Sequence, residues 1–476
     1  MVGDPTGTAT GISLGSQRVQ PGDVYAALPG ARAHGIEYVE EALARGAVAV
    51  LTDPAGSAAG EREVPVFVVP EPRGLLGRFA AHLYGEPATA LRLVGVTGTQ
   101  GKTTTTRLAE SGLEGAGVRA AVVGTVGTRV AGVEVRTALT TPEAPDLHGL
   151  FALMRERGVE ACAMEVSSHA LTLGRVDGVV FDLAVFTNLG RDHLDFHATL
   201  EDYFAAKASL FTPERARRGL VNVDDAHGRR LLDTAAIECH TFSASGADAD
   251  WRVVDVEAGA AGSTFTLLTP ERRRVPAGCP LPGGFNVANT LAAVAACAEV
   301  GYDAGEVAAA IAAGAGVPGR LEPVDAGQEF AVVVDYAHKP DALEAALATL
   351  RPLTDGRLIV VLGAGGDRDR GKRPVMGEIG ARLADVLVVT DDNPRGEDPT
   401  AIRAEVLGGT GDGGEVLEVG DRRAAIRAAL QRARPGDIVL VAGKGHETGQ
   451  EVAGTVYDFD DRVVVREELA ALGAGR

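Results

Sequence analysis

Short apolar runs rich in β-branched residues alternate with helix-like stretches through most of the chain. Seven of these runs are continuously apolar: Leu91–Val96, Val159–Met164, Leu183–Thr187, Phe330–Val334, Leu358–Leu362, Val386–Val389 and Ile438–Val441. A strand that is apolar on both sides is typical of a parallel sheet covered by helices on both faces. The pattern therefore predicts an α/β fold with mostly parallel sheets.

Two breaks rich in glycine and proline divide the chain. Gly85-Glu-Pro-Ala-Thr precedes one strongly β-like run, and Gly314-Ala-Gly-Val-Pro-Gly precedes another. A chain of 476 residues is too long for a single core. We therefore predict three domains, over residues 1–88, 89–317 and 318–476.

The composition excludes several classes of protein. Lys plus Arg number 46 and Asp plus Glu 65, a net charge of -19, and an acidic surface repels nucleic-acid backbones. The cysteines form no C-x-x-C pair, so neither a zinc site nor a disulfide framework is indicated. No apolar stretch reaches membrane-spanning length, and the N-terminus lacks a signal pattern. We expect a cytoplasmic monomer with small-molecule substrates, no nucleic-acid partner and no membrane insertion.

The segment Gly98-Thr-Gln-Gly-Lys-Thr-Thr lies between a predicted strand and a predicted helix, the context of a phosphate-binding loop. Gly98 and Gly101 let backbone amides approach phosphate oxygens, and the helix start adds partial positive charge. Lys102 would neutralise the β- and γ-phosphates, and the Thr103 hydroxyl would bind Mg²⁺. The strict pattern has a glycine where Val96 stands, so a glycine-rich strand–helix turn is the alternative. The Gly-Lys-Thr-Thr ending favours phosphate binding.

Polar or glycine-rich segments also follow the other predicted strands. They begin at Glu165, Asn188, Asp335, Gly363, Asp391 and Gly443. Ligands of parallel sheets bind beyond the carboxyl ends of the strands, so these segments predict one site between two domains. Glu165 would be a metal-binding or water-positioning carboxylate, and His193 a further magnesium ligand. Taken alone, Glu165 is more typical of a surface glutamate, and His193 of a structural histidine.

Lys207 is the most informative single residue. In Asp202-Tyr-Phe-Ala-Ala-Lys-Ala-Ser-Leu-Phe, helical spacing places Tyr203, Phe204, Leu210 and Phe211 on the face of Lys207. A lysine on an apolar face must extend its amine to solvent, pair with an anion, or lose its charge. Extension to solvent is the common outcome for an arbitrary lysine.

Taken together, these motifs resemble the Mur ligases over nearly the whole chain. The segments that carry the resemblance are the phosphate-loop segment, Met164-Glu-Val-Ser-Ser-His, Thr187-Asn-Leu-Gly-Arg-Asp-His-Leu-Asp, Ala205-Ala-Lys, Phe285-Asn-Val-Ala-Asn, Gly319-Arg, Asp335-Tyr-Ala-His-Lys-Pro-Asp and Gly365-Gly-Asp-Arg-Asp-Arg-Gly-Lys-Arg-Pro. Within that family, Asp392-Asn-Pro-Arg resembles the branch that adds diaminopimelate.

The resemblance implies a fold and a set of ATP contacts. It implies an N-terminal domain for the UDP end of the acceptor, a central P-loop-type ATPase domain with a mostly parallel sheet, and a C-terminal Rossmann-like α/β domain for the amino acid. It implies that Lys207 is carbamylated and, with Thr103, Glu165 and His193, holds Mg²⁺. The residues expected to bind ATP are Gly98, Thr99, Gln100, Gly101, Lys102, Thr103, Thr104, Asn289, Arg320 and Asp335, and those expected in catalysis are Lys102, Lys207 and His193.

The resemblance also implies substrate contacts. Ser16 and His34 match positions that hold the nucleotide end of a UDP-N-acetylmuramoyl dipeptide, and Thr140, Thr141, Ser167 and Arg175 match positions that face its dipeptide. A pocket for diaminopimelate is implied at Arg368, Asp392, Asn393, Pro394, Arg395, Gly443 and Glu447. Three departures from the family pattern are Gly15-Ser-Gln for Asp-Ser-Arg, Leu173 for Gln, and Lys339 for Thr.

The implied activity is ATP-dependent amide formation through an acyl phosphate. The closest rivals are a lysine-adding ligase and a folylpolyglutamate synthetase. Arg395 favours diaminopimelate, because its guanidinium offers a bidentate partner for a carboxylate that lysine lacks. A nucleotide-dependent switch or motor would share the phosphate loop but would not need the C-terminal loops.

Overall fold

All seven predicted strands are present in the computed structural model, which describes residues 8–30, 33–58, 63–411 and 414–474. Residues 1–7 of the predicted first domain lie outside the described residues. By its internal packing the chain divides into two units. The first contains the described residues up to Arg252 with Thr269–Arg272 and Leu291–Val307, and the second contains Val253–Leu268, Arg273–Thr290 and the described residues from Ala308 onward.

The N-terminal region of the first unit is a four-stranded parallel sheet in the order β1-β2-β3-β4. Its strands are β1 (Gly11–Ser13), β2 (Asp23–Ala27), β3 (Ala49–Thr52) and β4 (Val66–Val68), and its helices are α1 (Val39–Ala44), α2 (Pro54–Ser57) and α3 (Arg73–Leu83). Alternate residues of β2 enter two separate apolar clusters, Val24 and Ala26 in one and Tyr25 and Ala27 in the other. Both faces of this sheet are therefore covered.

A larger sheet carries the predicted phosphate loop. Its strands are β5 (Arg92–Thr97), β6 (Ala120–Val123), β7 (Thr128–Val130), β8 (Val133–Val135), β9 (Ala161–Glu165), β10 (Phe181–Phe186), β11 (Ala216–Asn222) and β12 (Cys239–Ser243). The order is β12-β11-β10-β5-β9-β6-β7-β8, parallel from β12 to β6 and antiparallel from β6 to β8. The parallel arrangement brings the ends of β5, β9 and β10 to one edge.

Helices and three further strands also occur between residues 102 and 313, and they are divided between the two units. The helices are α4 (Lys102–Gly115), α5 (Ala144–Glu156), α6 (Ser168–Thr172), α7 (Leu200–Ala208), α8 (Ala226–Thr234), α9 (Gly284–Glu299) and α10 (Ala304–Ala313). The start of strand β13 (Trp251–Gly259) pairs parallel with β12, with Trp251 opposite Phe242. Strand β14 (Gly262–Leu268) pairs antiparallel with β15 (Arg274–Cys279). Helix α7 ends at Ala208, so Leu210 and Phe211 are buried beyond the helix rather than on its face as predicted.

The second unit contains a six-stranded sheet in the order β16-β17-β21-β18-β19-β20. The strands are β16 (Glu322–Pro323), β17 (Ala331–Asp335), β18 (Leu358–Ala364), β19 (Val386–Asp391), β20 (Glu415–Glu418) and β21 (Ile438–Ala442), followed by the hairpin of β22 (Gly449–Val452) and β23 (Thr455–Asp458). The helices are α11 (Pro340–Leu350), α12 (Lys372–Leu383), α13 (Pro399–Leu407), α14 (Arg422–Arg432) and α15 (Asp461–Ala474). Within the six-stranded sheet every pairing except β16–β17 is parallel, and β22 pairs antiparallel with β23.

The central strand of this sheet shows why the sequence reads as continuously apolar. In β18, Val360 and Leu362 enter one cluster of buried side chains, and Ile359 and Val361 enter another. Helices therefore cover both faces, as the continuous apolar runs predict. The mixed α/β class, the mostly parallel sheets and the three successive sheet regions agree with the predicted fold.

Candidate active site

The loop between β5 and α4 has the backbone conformation of an anion-binding turn. Gly98 has φ of 152° and Gly101 has φ of 87°, the conformations that glycine adopts most easily. A Cβ atom at Gly98 would lie 1.9 Å from Thr187 Oγ1, so only glycine fits there. Lys102 is the first residue of the 14-residue helix α4, followed by the mostly buried Thr103 and Thr104. The amide groups at this helix start make it suited to phosphate.

The end of β10 holds the loop from the side. Thr99 donates its backbone N–H to the Asn188 carbonyl oxygen at 2.9 Å, and Gln100 donates its own to Asn188 Oδ1 at 2.9 Å. Thr187 donates its hydroxyl to the Gln100 carbonyl oxygen at 2.6 Å. The side chain of Thr99 also lies 3.1 Å from the Tyr203 hydroxyl. The Thr187-Asn188 segment therefore sets the shape of the phosphate loop.

Two lysine amines meet at one carbonyl oxygen. Lys102 Nζ donates to the Gly98 oxygen at 2.8 Å, and Lys207 Nζ donates to the same oxygen at 2.7 Å. Lys207 is 1% exposed and lies 4.5 Å from the centre of the Tyr203 ring. Burial, with a further contribution from Lys102, lowers the pKa of Lys207 well below its ordinary value. The expectation that such a lysine extends to solvent is therefore wrong for this residue.

Glu165 ends strand β9 beside the loop and is almost fully buried. Its register partner in β5 is Val96, the residue before Thr97. Glu165 Oε1 accepts the Thr125 backbone N–H at 2.7 Å, and Oε2 accepts the Thr125 hydroxyl at 3.2 Å. The carboxylate is thus fixed at the strand end where the sequence placed it.

Arg107 and Glu110 of helix α4 form an ion-pair network with Arg129. Arg107 donates to the Gly127 carbonyl oxygen at 3.1 Å, and Glu110 lies 3.0 Å from Arg129 Nε. Burial raises the pKa of Glu110 to about 7, against the opposing effect of Arg129 and Arg107. The network links helix α4 to the segment that carries Thr125.

His193 belongs to a cluster of rings next to Lys207. It has φ of 53°, and its ring centre lies 4.8 Å from that of His169 and 6.1 Å from that of Tyr203. His197 Nε2 lies 2.9 Å from Ser168 Oγ. Over residues 8–30, 33–58, 63–411 and 414–474, no three His, Cys, Asp or Glu side chains are placed to hold a metal ion by themselves.

Three of the residues predicted to face the acceptor lie together. The buried Thr141 hydroxyl donates to the Glu165 carbonyl oxygen at 2.8 Å and accepts the Ser167 backbone N–H at 3.2 Å. Arg175 donates from Nη1 to the Thr141 carbonyl oxygen at 3.4 Å and pairs with Glu143 at 2.9 Å. The Thr140 hydroxyl is exposed and lies 3.1 Å from that of Thr125, which contacts Glu165.

Ser16 and His34 have structural partners within the N-terminal region of the first unit. The Ser16 hydroxyl donates to Glu41 Oε2 at 2.6 Å. His34 accepts the Ile36 N–H at Nδ1 and lies 3.0 Å from Asp53 through Nε2, so it caps a short helical turn. Both side chains therefore already have protein partners, and His34 is half-buried.

A cavity of about 750 Å³ lies instead beside strand β1 and helix α5. Its charged and aromatic lining includes Arg18, Tyr84, Arg136, Glu143 and Asp146. Arg18 lies 2.5 Å from Asp146 and is two-thirds exposed. The sequence analysis missed Arg18 and Arg136, although Arg18 directly follows the Gly15-Ser-Gln departure.

In the second unit, Arg320 and Asp335 come together and Asn289 is on helix α9. The Arg320 guanidinium lies 5.2 Å from the Tyr336 ring centre. Asp335 accepts the Leu321 N–H at 2.7 Å, and burial raises its pKa, opposed by Arg320. Asn289 is buried and donates to Asn286 Oδ1 at 3.1 Å.

Six of the seven residues predicted to bind the amino acid line a single cavity of about 670 Å³ in the second unit. They are Arg368, Asp392, Asn393, Arg395, Gly443 and Glu447. The cavity is also lined by residues that the sequence analysis did not select: Tyr336, His338, Lys339, Pro340, Asp341, Gly365, Asp369, Gly371 and Lys372. Both carboxylates and cations therefore face one space, at the carboxyl ends of β17, β18, β19 and β21.

Arg395 is held in place by the protein. It has φ of 53°, Nη1 donates to the Gly366 carbonyl oxygen at 2.8 Å, and Nε lies 3.2 Å from Glu451. Its backbone N–H donates to the Glu451 oxygen at 3.0 Å. The guanidinium is therefore oriented in advance, but two of its donors already have protein partners.

Three fully buried cations support the cavity loops, and the sequence analysis selected none of them. Arg373 pairs with Glu397 and Glu405 and donates to the Gly365 carbonyl oxygen at 3.1 Å. Arg422 pairs with buried Asp461 and donates to the Ala442 oxygen at 3.0 Å.

Lys444, the third, contacts Asn393 and Asp392, and burial lowers its pKa. Sequence spacing gave no signal for any of the three, because their partners include residues that are distant along the chain, such as Glu397 for Arg373, Asp461 for Arg422 and Asn393 for Lys444.

Comparison with known proteins indicates the same family in successive parts of the chain. Three family models match in order: the Mur ligase family catalytic domain at residues 8–84, the Mur ligase middle domain at 96–297, and the Mur ligase glutamate ligase domain at 319–445.

Among the residues that the structure describes, no helix is long and apolar enough to cross a membrane.

Several relatives resemble the chain over nearly its full length. It is 56% identical to a UDP-N-acetylmuramoyl-L-alanyl-D-glutamate–2,6-diaminopimelate ligase of Streptomyces avermitilis, covering 97% of this chain and 92% of the relative. It is 44% identical to a UDP-N-acetylmuramyl-tripeptide synthetase of Leifsonia xyli, covering 96% and 92%. A solved structure of a ligase with the same name as the Streptomyces protein superposes with a TM-score of 0.73 at 36% identity, covering 98% and 95%.

Proposed function

The chain belongs to the Mur ligase family, and on that premise we propose that it is an ATP-dependent ligase of peptidoglycan synthesis. It joins 2,6-diaminopimelate to the γ-carboxylate of D-glutamate in UDP-N-acetylmuramoyl-L-alanyl-D-glutamate. The observation that carries the proposal is the amino-acid cavity, which brings Arg368, Arg395, Asp392 and Glu447 to one space. Such a lining suits a substrate that has both ammonium and carboxylate groups at its far end.

The reaction takes place in two steps. A γ-carboxylate oxygen attacks the γ-phosphorus of ATP, ADP leaves, and an acyl phosphate forms. The diaminopimelate nitrogen then attacks the acyl carbon, inorganic phosphate leaves, and the nitrogen loses a proton. Both steps develop negative charge on phosphate oxygens, and fixed positive groups lower the barrier most. The amide groups of the Gly98–Thr104 loop and the ammonium of Lys102 supply that charge.

The residues near the loop fit Mg²⁺ by their chemistry. Thr103 offers a hydroxyl oxygen and Glu165 a carboxylate at the adjoining strand end, and Mg²⁺ prefers oxygen ligands. His193, in the ring cluster next to Lys207, is the proposed nitrogen ligand. Mg²⁺, when bound, would neutralise phosphate charge and act as a Lewis acid. Unmodified Lys207 is a poor ligand, because an ammonium group has no lone pair and a neutral amine offers nitrogen where Mg²⁺ prefers oxygen.

Carbamylation of Lys207 would resolve this mismatch. Addition of CO₂ to the neutral amine, with loss of one proton, gives an N-carboxylate with two oxygen donors. Burial favours the neutral amine that reacts, and the remaining N–H can still donate to the Gly98 oxygen. The modification turns a buried cation beside Lys102 into an anion that pairs with it.

The acceptor substrate is proposed to bind in the first unit. The cavity with Arg18 and Arg136 provides cations for the diphosphate of UDP. Thr141, Ser167 and Arg175 lie in one hydrogen-bonded group beside Glu165 and would face the muramoyl dipeptide. Ser16 and His34 would serve the nucleotide end only after exchanging their present protein partners. Asn289, Arg320 and Asp335 are the proposed adenosine contacts.

The domain limits, the oligomeric state and the compartment stay predictions. The boundaries at 88 and 317 are supported by the family models, which leave residues 85–95 and 298–318 between them. We expect a monomer in the cytoplasm, to be tested by light scattering and cell fractionation.

An amino-acid panel tests the proposed function directly. Purified enzyme with ATP, Mg²⁺ and the UDP-dipeptide should release ADP and form an amide with diaminopimelate, measured by mass spectrometry. The meso and LL isomers, lysine and ornithine are compared at equal concentration. Preferred ligation of lysine would replace the proposed substrate, and it is a meaningful alternative because the name of the Leifsonia relative leaves the amino acid open. Release of ADP without any amide would reject the ligase assignment.

A further inference from the structure

Lys444 is a lysine without exposed surface at the wall of the amino-acid cavity. It follows Gly443, the residue after strand β21, in Gly443-Lys-Gly-His-Glu. Four of its neighbours, Asp392, Asn393, Gly443 and Glu447, line the cavity. A buried ammonium group is costly unless it has anionic or hydrogen-bonding partners, so its contacts show what it holds in place.

The ammonium group of Lys444 fixes the orientation of the Asn393 amide. Lys444 Nζ donates to Asn393 Oδ1 at 2.8 Å, and the Glu451 backbone N–H donates to the same oxygen at 3.0 Å. With two donors on Oδ1, the NH₂ group must point the other way, and it donates to Glu447 Oε2 at 3.0 Å. An asparagine held like this offers its second N–H as a donor, and not an acceptor, to its remaining surroundings.

The same ammonium group lies beside two of the carboxylates that line the cavity, Asp392 and Glu447. Lys444 Nζ lies 3.3 Å from Asp392 Oδ1 and 3.8 Å from Glu447 Oε2. Asp392 is 6% exposed, so its charge has little solvent to stabilise it. Without the lysine the two carboxylates would repel each other and the Asn393 oxygen.

Lys444 also anchors the hairpin that pairs with Arg395. Its Nζ also donates to the Gly449 carbonyl oxygen at 2.7 Å, at the start of β22. Two residues later, Glu451 accepts the Arg395 backbone N–H at 3.0 Å and pairs with its guanidinium at 3.2 Å. One buried amine therefore joins the strand end, the Asp392–Arg395 loop and the hairpin.

We propose that Lys444 is a positioning residue for the amino-acid substrate, a role that rests on the proposed function of this cavity. It acts through Asn393, which it presents as a donor to a substrate carboxylate, and through Asp392 and Glu447, which it holds as acceptors for a substrate ammonium group.

The test is steady-state kinetics of K444M, which keeps the volume of the stem and removes the charge. The KM for diaminopimelate should rise about 10- to 100-fold, as expected for loss of oriented charge-assisted contacts. The kcat at saturating diaminopimelate and the KM values for ATP and the UDP-dipeptide should stay within about twofold, because those groups bind elsewhere. A KM for diaminopimelate equal to that of the parent enzyme would overturn the proposal.

A matched control separates positioning from lost stability. Arg357 is a cation of the same sheet, placed just before β18, with a 2.9 Å pair to Asp437. R357M should lower the melting temperature and leave the KM for diaminopimelate unchanged. If R357M raised this KM as much as K444M did, the effect would be general destabilisation and the proposal would be wrong.

Two further variants complete the design. K444Q keeps a side-chain donor for the Asn393 oxygen, so it should show a smaller rise in KM, and it decides the matter if K444M does not fold. In N393A/K444M the KM should not exceed that of the worse single variant by more than about twofold, because one residue acts through the other. If the two substitutions instead multiplied their effects on this KM, Lys444 would not act through Asn393. A parent enzyme that does not ligate diaminopimelate refutes the proposed function, whereas a normal parent with an unaffected K444M refutes only this inference.

Discussion

At the residue scale, the two amines on the Gly98 carbonyl oxygen are placed for different tasks. Lys102 begins helix α4 and lies where phosphate oxygens would meet the helix start. Lys207 is buried under the Tyr203 ring, where a permanent positive charge beside Lys102 is unfavourable. Two cations on one acceptor repel each other, so burial and then Lys102 lower the pKa of Lys207, and Asp192 opposes them.

Replacing Lys102 by alanine should abolish most ligase activity while leaving the fold intact. One fixed cation at developing phosphate charge is worth roughly 100- to 1,000-fold in kcat. The measurement is ADP release under saturating substrates, with circular dichroism to confirm folding. Arg217→Ala is the control, because Arg217 is an exposed cation that pairs with Asp182 on the neighbouring strand. Near-normal turnover of the Lys102 variant would remove the phosphate-loop assignment.

Replacing Lys207 by alanine should leave almost no activity, and short carboxylates such as acetate or formate should restore part of it. If the active form is a carbamate, activity of the parent should fall as pH is lowered, since protonation of the amine removes the form that reacts with CO₂. Burial lowers the pKa of this amine, so the loss should begin below the ordinary lysine range. Added bicarbonate should raise activity at a given pH, and Lys207→Arg, which cannot be carbamylated, should not respond. Full activity with an unmodified Lys207 by mass spectrometry would reject the carbamate.

Replacing Arg395 by alanine should raise the KM for diaminopimelate by roughly 10- to 100-fold, on a charge-assisted contact of about 1.5–3 kcal/mol. ATP and the acceptor should bind nearly as before, because the proposed contacts for both lie on other residues. Lysine should be rejected no more strongly by the variant, since it has no distal carboxylate. Steady-state kinetics with each amino acid measures this. A variant that lost affinity for ATP and kept it for diaminopimelate would assign the loop to another substrate.

At the element scale, close contact between neighbouring strand ends determines the shape of the loops. The phosphate loop approaches the end of β10 so closely that a Cβ atom at Gly98 would lie 1.9 Å from Thr187 Oγ1. In the second unit, a Cβ atom at Gly366 would lie 1.8 Å from the Pro394 oxygen. Neither loop can therefore take its observed path with a larger residue.

Gly98→Ala should raise the KM for ATP by at least about tenfold, because the loop must move away from β10 and misplace its amides. It should also destabilise the fold, since the backbone at this residue has positive φ. Gly74→Ala is the matched control: Gly74 is in helix α3 with open space around its Cβ position, and alanine should leave activity unchanged and stabilise the helix slightly. Equal ATP kinetics in the two variants would show that the close contact has no functional role.

At the scale of the whole molecule, the apolar cores of the last predicted domain are almost self-contained. Every buried residue of the two clusters around the six-stranded sheet comes from residues 318–476. The division by packing nevertheless adds Val253–Leu268, Arg273–Thr290 and the chain from Ala308 to the same unit. The boundary at 317 is therefore open to a direct test.

A fragment of residues 318–476 should fold alone with a cooperative thermal transition, because it contains both covered faces of its sheet. Circular dichroism and calorimetry would measure this, with residues 253–476 as the comparison. The shorter fragment should melt within a few degrees of the longer one. If it is unfolded while the longer fragment is folded, the domain begins earlier than predicted and β14, β15 and the start of α9 belong to it.

The α/β class, the strands and the segments that carry the chemistry could be predicted from the amino-acid sequence. Continuous apolar runs are visible locally, because every residue of a strand covered on both faces must be apolar. The Gly98–Thr104 loop and the Asp392–Arg395 segment could be recognised because glycine, lysine and proline at fixed spacing are local requirements. The ligands of these two segments, however, were inferred from the resemblance to the Mur ligases rather than from the residues alone.

The environments of individual side chains, in contrast, are known only from the folded structure. Lys207 could equally have reached solvent, and its burial against Gly98 depends on a residue more than a hundred positions earlier. Ser16 and His34 proved to have protein partners, and Arg18, Arg136 and Lys444 line or support cavities that spacing did not indicate. Burial, charge and hydrogen bonding at a site depend on segments that are distant in the chain and neighbours only after folding. For this reason the local pattern can predict which loops matter but not what each side chain touches.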